Sequence, residues 1–318
     1  MQSQSLKSKI ILGMLIHSHY FRFRLKKPPF DPSMEGILKY RKKTEKAATM
    51  FGKMPDEIVI KPLKLTNGQT AEWVTLPENQ DTKAILWFHG GFYMIGSAQS
   101  HRQHVAKFVK GSGLNALVFD YRLAPEHPFP AALEDALSAY RFLTETGLQP
   151  HDIVFAGDSA GGGLCLATLL ALKEKELPLP SAAAVLSPWT DLMLTGASHQ
   201  INKKRCFSPE GCAESASVYY AGGHDKSNPL ISPLYGNLKG LPPLHISVGS
   251  NETLRDDSLR LAEKAREAGV HTSLIVGMGM CHCYPVFGDL FHESKDALAD
   301  ICRFLNKHAG NNRNETSG

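Results

Sequence analysis

A serine set among small residues follows directly on an apolar stretch of the chain. The apolar run IVFA at 153–156 leads into GDSAG at 157–161, which satisfies G-x-S-x-G and opens a helical pattern. A sharp strand-to-helix turn forces such a serine into strained backbone geometry and leaves room only for small neighbours. Because clusters of glycine, alanine and serine also begin purely structural helices, a nucleophile must be supported by partners elsewhere in the chain. With those partners, Ser159 is predicted to carry out acyl transfer.

The partners that a nucleophilic serine needs follow it in the required order. A serine hydroxyl reacts when a base takes its proton and an acid orients that base. His282 lies in the glycine-bearing loop after TSLIVG, and Glu252 lies in the loop immediately after LHISVG. Order and loop position predict His282 as the base and Glu252 as the acid. Asp256 remains the alternative acid, although it falls where the first turn of a helix favours a negative charge without any catalytic role.

A turn upstream of the serine offers main-chain N–H groups. The strand pattern AILWFH runs into Gly90 and Gly91, whose N–H groups no side chain hinders. Acyl transfer generates a negative oxygen that two or three preorganised N–H donors stabilise. Placement after a buried strand favours this role over a simple hairpin turn, so we expect Gly90, Gly91 and Ala160 to form an oxyanion hole. The residues assigned to the substrate pocket are Phe92, Tyr93 and Asp158.

Cys281 and Cys283 flank the predicted base and raise the question of a metal site. The sequence has no second cluster of cysteine and histidine at ligand spacing, so we expect no metal. Six cysteines in 318 residues are more typical of free thiols in a reducing cytoplasm than of a disulfide framework. The apolar run IILGMLI at 10–16 is shorter than the roughly 20 residues of a membrane-spanning helix. We therefore expect a cytoplasmic protein.

Strands and helices that could position these residues alternate from residue 57 onward. The strand patterns are EIVIKPLKL, TAEWVTL, AILWFH, ALVFD, DIVFAG, AAVLSP, LHISVG and TSLIVG. Helical patterns lie near 101–111, 131–146, 160–175, 255–269 and 292–307. Such alternation predicts an α/β protein with a mostly parallel sheet and helices on both faces.

Two segments fall outside this alternation. Residues 1–53 contain 12 Lys and Arg against 3 Asp and Glu, a net charge of +9 in a chain whose total is +4. The other segment, near 193–227, lies between SPWTDL and NPLISPLYG. Because insertions beyond strand ends commonly cover the ligand crevice, we predict one helical cap from both segments over a catalytic domain at 54–318. No nucleic-acid motif accompanies the basic residues, so nucleic acid is not an expected partner, whereas contact with a membrane surface stays open.

Four motifs, with the loops that carry Glu252 and His282, together resemble the hormone-sensitive-lipase-like branch of the α/β-hydrolase family. The motifs are HGGFYMIGS at 89–97, DYRLAPEHPFPAALED at 120–135, GDSAGG at 157–162 and SPWTDL at 187–192. The resemblance spans residues 55–307 and implies a serine carboxylesterase or lipase that needs no cofactor. The family often has a third glycine where this chain has Phe92. It also often has an aspartate at the position where alignment places Glu252.

The predicted reaction is hydrolysis of short- to medium-chain acyl esters through an acyl-enzyme intermediate. The same residues would also serve a deacetylase or amidase that acts on a small metabolite. A non-catalytic small-molecule receptor, like the plant hormone receptors that resemble this family, would be expected to lack the histidine, and His282 is present. The expected partner is a small-molecule ester, and self-association into a homo-oligomer is left open.

Overall fold

Within residues 4–16, 29–48, 54–79 and 82–310, which the computed structural model describes, the chain forms a sheet of eight strands. The strands are β1 (Val59–Lys64), β2 (Thr70–Thr75), β3 (Ala84–Phe88), β4 (Asn115–Phe119), β5 (Ile153–Asp158), β6 (Ala182–Leu186), β7 (Leu244–Gly249) and β8 (Thr272–Gly277). Their order is β1-β2-β4-β3-β5-β6-β7-β8. β2 pairs antiparallel with β1 and β4, and all other pairs are parallel. The predicted mostly parallel sheet is confirmed, and each strand overlaps a predicted strand pattern.

Helices connect the strands and cover the sheet. They are α1 (Leu6–Ile16), α2 (Met34–Ala48), α3 (Ala98–Ser112), α4 (Ala131–Glu145), α5 (Ala160–Glu174), α6 (Ser198–Ile201), α7 (Cys212–Ala221), α8 (Arg255–Glu267) and α9 (His292–His308). The five predicted helical patterns correspond to α3, α4, α5, α8 and α9. Local chemistry sets such bounds: α3 begins after Ser97, whose hydroxyl accepts the N–H of Ser100, and ends at Gly113, where φ is 70°.

Alternate residues of the central strands pack on opposite helix layers. Leu86 and Phe155 belong to one buried cluster together with residues of α4 and α5. Their strand neighbours Ile85 and Val154 belong to another cluster together with residues of α3 and α9. Strands that are buried on both faces have nearly continuous apolar sequences. This is why the central strand patterns show little alternation between apolar and polar residues.

The carboxyl ends of the parallel strands gather the predicted site residues at one edge of the sheet. Register places Phe88 beside Gly157, Asp158 beside Leu186, and the carboxyl ends of β7 and β8 side by side. Loops that follow neighbouring parallel strands lie next to each other at this edge. The segments that carry the two glycines, the serine, the glutamate and the histidine are therefore neighbours in space, although they are spread over most of the chain.

The two segments outside the alternation contact each other. The N–H of Phe30 donates to the carbonyl oxygen of Glu210 at 2.8 Å. The hydroxyl of Tyr219 donates to the carbonyl oxygen of Pro32 at 2.8 Å. These bonds join the residues before α2 to the residues before α7 and to α7 itself. The predicted cap boundary at residue 53 lies outside the described residues.

Helix α1 packs on the segment that follows β8. Its Leu12 is 3% exposed and lies in a cluster with Met280, Tyr284 and Phe291. None of the helices in the described ranges combines the length and apolarity that crossing a bilayer requires.

Candidate active site

Ser159 lies at the sharp turn between β5 and α5. Its backbone has φ 55° and ψ −122°, a conformation that residues other than glycine rarely adopt. A Cβ atom built on Gly161 would overlap the carbonyl oxygen of Phe88, because α5 approaches β3 closely. The N–H of Ser159 donates to the carbonyl oxygen of Leu186 at 2.8 Å and helps to hold the strained turn. The small residues of GDSAG are therefore required by this packing.

His282 and Glu252 form a direct hydrogen-bonded pair. Nδ1 of His282 lies 2.5 Å from Oε2 of Glu252, whose side chain is fully buried. The other carboxylate oxygen of Glu252 accepts from the N–H of Gly249 at 2.6 Å and from the hydroxyl of Ser187 at 2.7 Å. A buried carboxylate is tolerated when donors satisfy both of its oxygens. Glu252 therefore fixes the imidazole through Nδ1 and leaves Nε2 to exchange protons.

Ser187 is a positioning residue that the sequence analysis did not single out. It is fully buried at the carboxyl end of β6, and its φ is 47°. Its hydroxyl donates to Glu252 and accepts the N–H of Cys283 at 2.9 Å. One hydroxyl thus ties the loop of the acid to the loop of the base. A serine directly after a buried strand, within SPWTDL, was the available signal.

The second ring nitrogen of His282 faces a thiol. Nε2 lies 3.5 Å from Sγ of Cys283, which in turn lies 3.6 Å from the carbonyl oxygen of Leu186. Burial raises the pKa of the Cys283 thiol, which is therefore protonated at neutral pH. Burial by itself would lower the pKa of His282, whereas the carboxylate of Glu252 stabilises the imidazolium and raises that pKa.

The alternative acid, Asp256, is engaged elsewhere. Its Oδ2 accepts the N–H of Ser198 at 2.8 Å, and its Oδ1 accepts from Nε of Arg255 at 2.9 Å. The next carboxylate, Asp257, accepts two main-chain N–H groups and lies 3.2 Å from Nε2 of His199. Both aspartates therefore hold the 190–199 loop in place, and the geometry favours Glu252 as the partner of the base.

Three main-chain N–H groups near Ser159 are available to a ligand. Among the described residues, the N–H groups of Gly90, Gly91 and Ala160 donate to no protein acceptor. Ala160 is the first residue of α5, where helical N–H groups have no partner within the helix. A Cβ atom on Gly90 would overlap the carboxylate of Asp158, so the turn lies directly against the strand that carries the serine. The arrangement can hold a negative oxygen in the way an oxyanion hole does.

Two of the three residues assigned to the substrate pocket lie outside it. Phe92 lines the cavity, whereas Tyr93 and Asp158 are absent from its lining among the described residues. Tyr93 is 1% exposed and stacks on Tyr220 with ring centroids 3.6 Å apart. Asp158 pairs with His101. Phe92 and Tyr93 both have positive φ, 58° and 59°, so the turn sends their side chains in directions that the sequence did not reveal.

Asp158 belongs to a buried cluster of imidazoles behind the glycine turn. Its Oδ2 lies 3.5 Å from Nε2 of His101. Burial alone would raise the pKa of Asp158, but His101 lowers it to about 2. Burial would lower the pKa of His101, and Asp158 raises it instead. Burial lowers the pKa of His89 to about 4 and that of His104 to about 3, so both are neutral in the folded protein.

We predict that the free energy of unfolding falls as the pH drops from 6.5 towards 4. In the unfolded chain His89 and His104 take up protons near pH 6.5, whereas in the folded protein they do so only near 4 and 3. The unfolded state therefore binds more protons in this window. Each histidine lowers the free energy of unfolding by about 1.4 kcal/mol for each unit by which its pKa is lower in the folded protein than in the unfolded chain. The pKa of His101 is raised, so its stabilisation is fully present below pH 6.5. Because that contribution stays constant over this window, it does not offset the loss. Urea unfolding across the window measures the slope.

The variant His104→Phe separates this effect from the titration of carboxylates. Phenylalanine keeps a ring against His101 but cannot take up a proton on unfolding. The loss of unfolding free energy between pH 6.5 and 4 should therefore be smaller in the variant. An identical slope in both proteins would assign the acid sensitivity to other groups.

Ser159 and His282 open onto a cavity of about 860 Å³. Its wall includes residues from both segments outside the strand–helix alternation, namely Tyr40 on α2 and the stretch near Phe207. Its large apolar lining residues are Tyr40, Phe92, Trp189, Leu194, Phe207 and Leu254. A mostly apolar wall with a few convergent polar groups is typical of a small-molecule site. No group of His, Cys, Asp and Glu within the described ranges could hold a metal ion.

Other proteins are similar in sequence to most of this chain. The family described as the alpha/beta hydrolase fold matches residues 85–286. An acetyl-hydrolase of Streptomyces hygroscopicus is 42% identical over 246 residues, which cover 76% of this chain and 81% of the relative. An ethyl acetate hydrolase of Pseudomonas putida is 30% identical over 283 residues, which cover 83% of this chain and 87% of that enzyme.

Solved structures share the fold of almost the whole chain. An esterase of the bacterial hormone-sensitive lipase family superimposes with a TM-score of 0.86 at 37% identity, covering 97% of this chain and 100% of that one. The esterase EstE5, from crystals soaked with p-nitrophenyl butyrate, gives a TM-score of 0.87 at 37% identity over 96% of this chain and 100% of its own. The chain therefore belongs to the α/β-hydrolase family, in its hormone-sensitive-lipase-like branch, and is a carboxylic ester hydrolase.

Proposed function

We propose that the protein hydrolyses short- to medium-chain acyl esters, with Ser159 as nucleophile, His282 as general base and Glu252 as the acid that orients it. The observation that carries this proposal is the 2.5 Å contact between Nδ1 of His282 and the buried carboxylate of Glu252, at a cavity that Ser159 also lines. A serine, a histidine and a carboxylate in these roles can perform acyl transfer without a metal or cofactor.

The first half of the reaction forms an acyl-enzyme. Oγ of Ser159 bonds to the ester carbonyl carbon while Nε2 of His282 takes the hydroxyl proton. The carbonyl oxygen becomes negative and is held by the N–H groups of Gly90, Gly91 and Ala160. Glu252 stabilises the imidazolium through Nδ1. The carbon–oxygen bond to the alcohol then breaks, and Nε2 protonates the departing alcohol.

The second half releases the acid. Water enters where the alcohol left and attacks the acyl carbon, while Nε2 of His282 takes one of its protons. A second oxyanion forms in the same place and collapses. The bond between the acyl carbon and Oγ of Ser159 breaks, and the serine oxygen regains a proton from the imidazole.

The names of related proteins support esters with a short acyl group. The relatives include proteins called an acetyl-hydrolase and an ethyl acetate hydrolase, and the structural neighbour EstE5 was soaked with a butyrate ester. A volume of about 860 Å³ also leaves room for an alcohol larger than ethanol. We propose that α2 and the 193–227 segment act as the cap that limits chain length. A cytoplasmic location is part of the proposal, because all six cysteines are free thiols.

The test is a series of p-nitrophenyl esters from acetate to dodecanoate, with Ser159→Ala as the blank. We expect kcat/KM to be highest for the short and medium chains and to fall at least about tenfold at dodecanoate, because a longer acyl chain would have to displace side chains of the cap. A maximum at dodecanoate would contradict the substrate class. Cleavage of N-acetylated amines with no cleavage of any ester would favour the deacetylase instead.

A further inference from the structure

Helix α1 carries an apolar stripe that no described residue covers. Leu6, Ile10 and Met14 follow one another at four-residue spacing, so they share one face of the helix. Their exposed fractions are 74%, 50% and 54%. Single exposed apolar side chains are ordinary on protein surfaces, but three on successive turns form a continuous patch. These three residues are called the α1 stripe below.

The opposite face of α1 is fixed to the body of the molecule. The N–H of Ser5 donates to Oε1 of Glu293 at 2.5 Å, and the hydroxyl of Ser8 donates to the same oxygen at 3.0 Å. Leu12 is buried in the cluster that follows β8. Because these contacts hold one face of the helix, the α1 stripe points away from the molecule.

A chain of hydrogen bonds leads from the start of α1 to the rim of the cavity. The carbonyl oxygen of Gly279 accepts from the Gln4 amide at 3.0 Å and from the Asn251 amide at 3.1 Å. Asn251 in turn accepts from Nη1 of Arg205 at 2.9 Å. Arg205 belongs to residues 203–214, most of which line the cavity. Further exposed apolar side chains, near Gly279 and Arg205 in the sequence, are Met278 (42%), Ile201 (66%) and Phe207 (36%).

Basic residues accompany these apolar side chains. Lys7 and Lys9 are exposed on α1, which contains no acidic residue. Lys203 and Lys204 line the cavity together with Glu210 and Glu214, and Lys203 pairs with Glu210 at 3.1 Å, so the excess of positive charge lies on α1. Exposed apolar side chains beside cations match the interface of a bilayer that contains anionic lipids. A helix of 11 residues is too short to cross a bilayer, so α1 would lie in the interface.

We propose that the α1 stripe and the adjoining rim of the cavity bind the surface of an anionic membrane. Binding in this way brings the cavity rim next to the lipid, so that esters dissolved in the bilayer reach the cavity without crossing bulk water. The membrane contact does not depend on the proposed function, because none of the α1 stripe residues takes part in the reaction.

Flotation of the full chain tests this proposal, with vesicles of phosphatidylcholine alone and vesicles that also contain phosphatidylglycerol. We expect binding to the phosphatidylglycerol vesicles that weakens as salt is added. The variant Leu6→Ser/Ile10→Ser/Met14→Ser should bind at least about tenfold more weakly. The control Val59→Ser/Leu177→Ser/Leu259→Ser removes three exposed apolar side chains elsewhere and should bind like the unmodified chain.

Thermal unfolding at the same temperature in all three proteins establishes that any loss of binding is local. Equal flotation of the unmodified chain and the stripe variant would overturn the proposal. Failure of the unmodified chain to bind phosphatidylglycerol vesicles at low salt would also overturn it. If the unmodified chain self-associates, and the stripe variant alone becomes monomeric without any vesicle binding in either, the stripe binds a second copy instead.

Discussion

Replacing Ser159 with alanine should lower kcat/KM for p-nitrophenyl acetate by at least about 10³-fold. The substitution removes the atom that forms the acyl bond, whereas the N–H groups that would hold the oxyanion and the His282–Glu252 pair remain. Residual hydrolysis should therefore come from water attacking an ester bound in the cavity. A chromogenic assay at several enzyme concentrations measures the loss, and mass spectrometry with a slowly hydrolysed ester should detect acylation only in the unmodified protein.

Ser181→Ala is the matched control for this variant. Ser181 is also a buried serine next to a central strand, but its hydroxyl donates to the carbonyl oxygen of Ile153. Its loss should leave kcat/KM within about threefold of the unmodified value, because the residue precedes β6 at the edge opposite the site. Retention of most of the activity in Ser159→Ala, with Ser181→Ala equally active, would contradict the nucleophile assignment.

Glu252→Gln should lower kcat by about 10³-fold, while Asp256→Asn should change it by no more than about threefold. Glutamine keeps the shape of the side chain but loses the charge that stabilises the imidazolium. Its amide would also present N–H groups to Nδ1 of His282 and favour the wrong tautomer. Asparagine at 256 can still accept the N–H of Ser198 and has no contact with the imidazole.

The comparison of kcat with KM and with stability identifies the cause. A lost charge at the base should lower kcat with little change in KM, because the carboxylate acts mainly in the transition state. Thermal unfolding of both variants shows whether the buried substitution has disturbed the fold. If Asp256→Asn abolishes turnover and Glu252→Gln does not, the acid has been assigned to the wrong loop.

The sheet could be predicted because its strands are buried on both faces. An apolar run such as the one in β5, bounded by polar or turn residues, is specified by local composition. Helices α2 and α7 were not predicted as separate elements, because their stability depends on each other's segment. Ile37 on α2 is fully buried, and Tyr40 lines the cavity, but the residues that cover them lie far away in the sequence.

The order of residues along the chain predicted which loops form the site, but not the directions of their side chains. Order and loop position brought the serine, the histidine and the glutamate to one edge of the sheet, but they left Asp256 open as an alternative. The structure separates the two carboxylates, because side-chain direction after β7 depends on the turn that begins α8. The same dependence explains Tyr93 and Asp158. Their place near the nucleophile in sequence did not reveal that one stacks on Tyr220 and the other pairs with His101.

The walls of the cavity have a consequence for how such an enzyme can diversify. Residues of α2 and of the 193–227 segment shape the space around the ester, yet neither contributes a strand to the sheet. Some residues there, such as Ile37 and Tyr220, belong to the buried core, but others, such as Phe207, line the cavity without belonging to that core. Substitution of the second kind can change which ester fits and leave the strands and the reaction centre in place, so that recognition can change separately from chemistry.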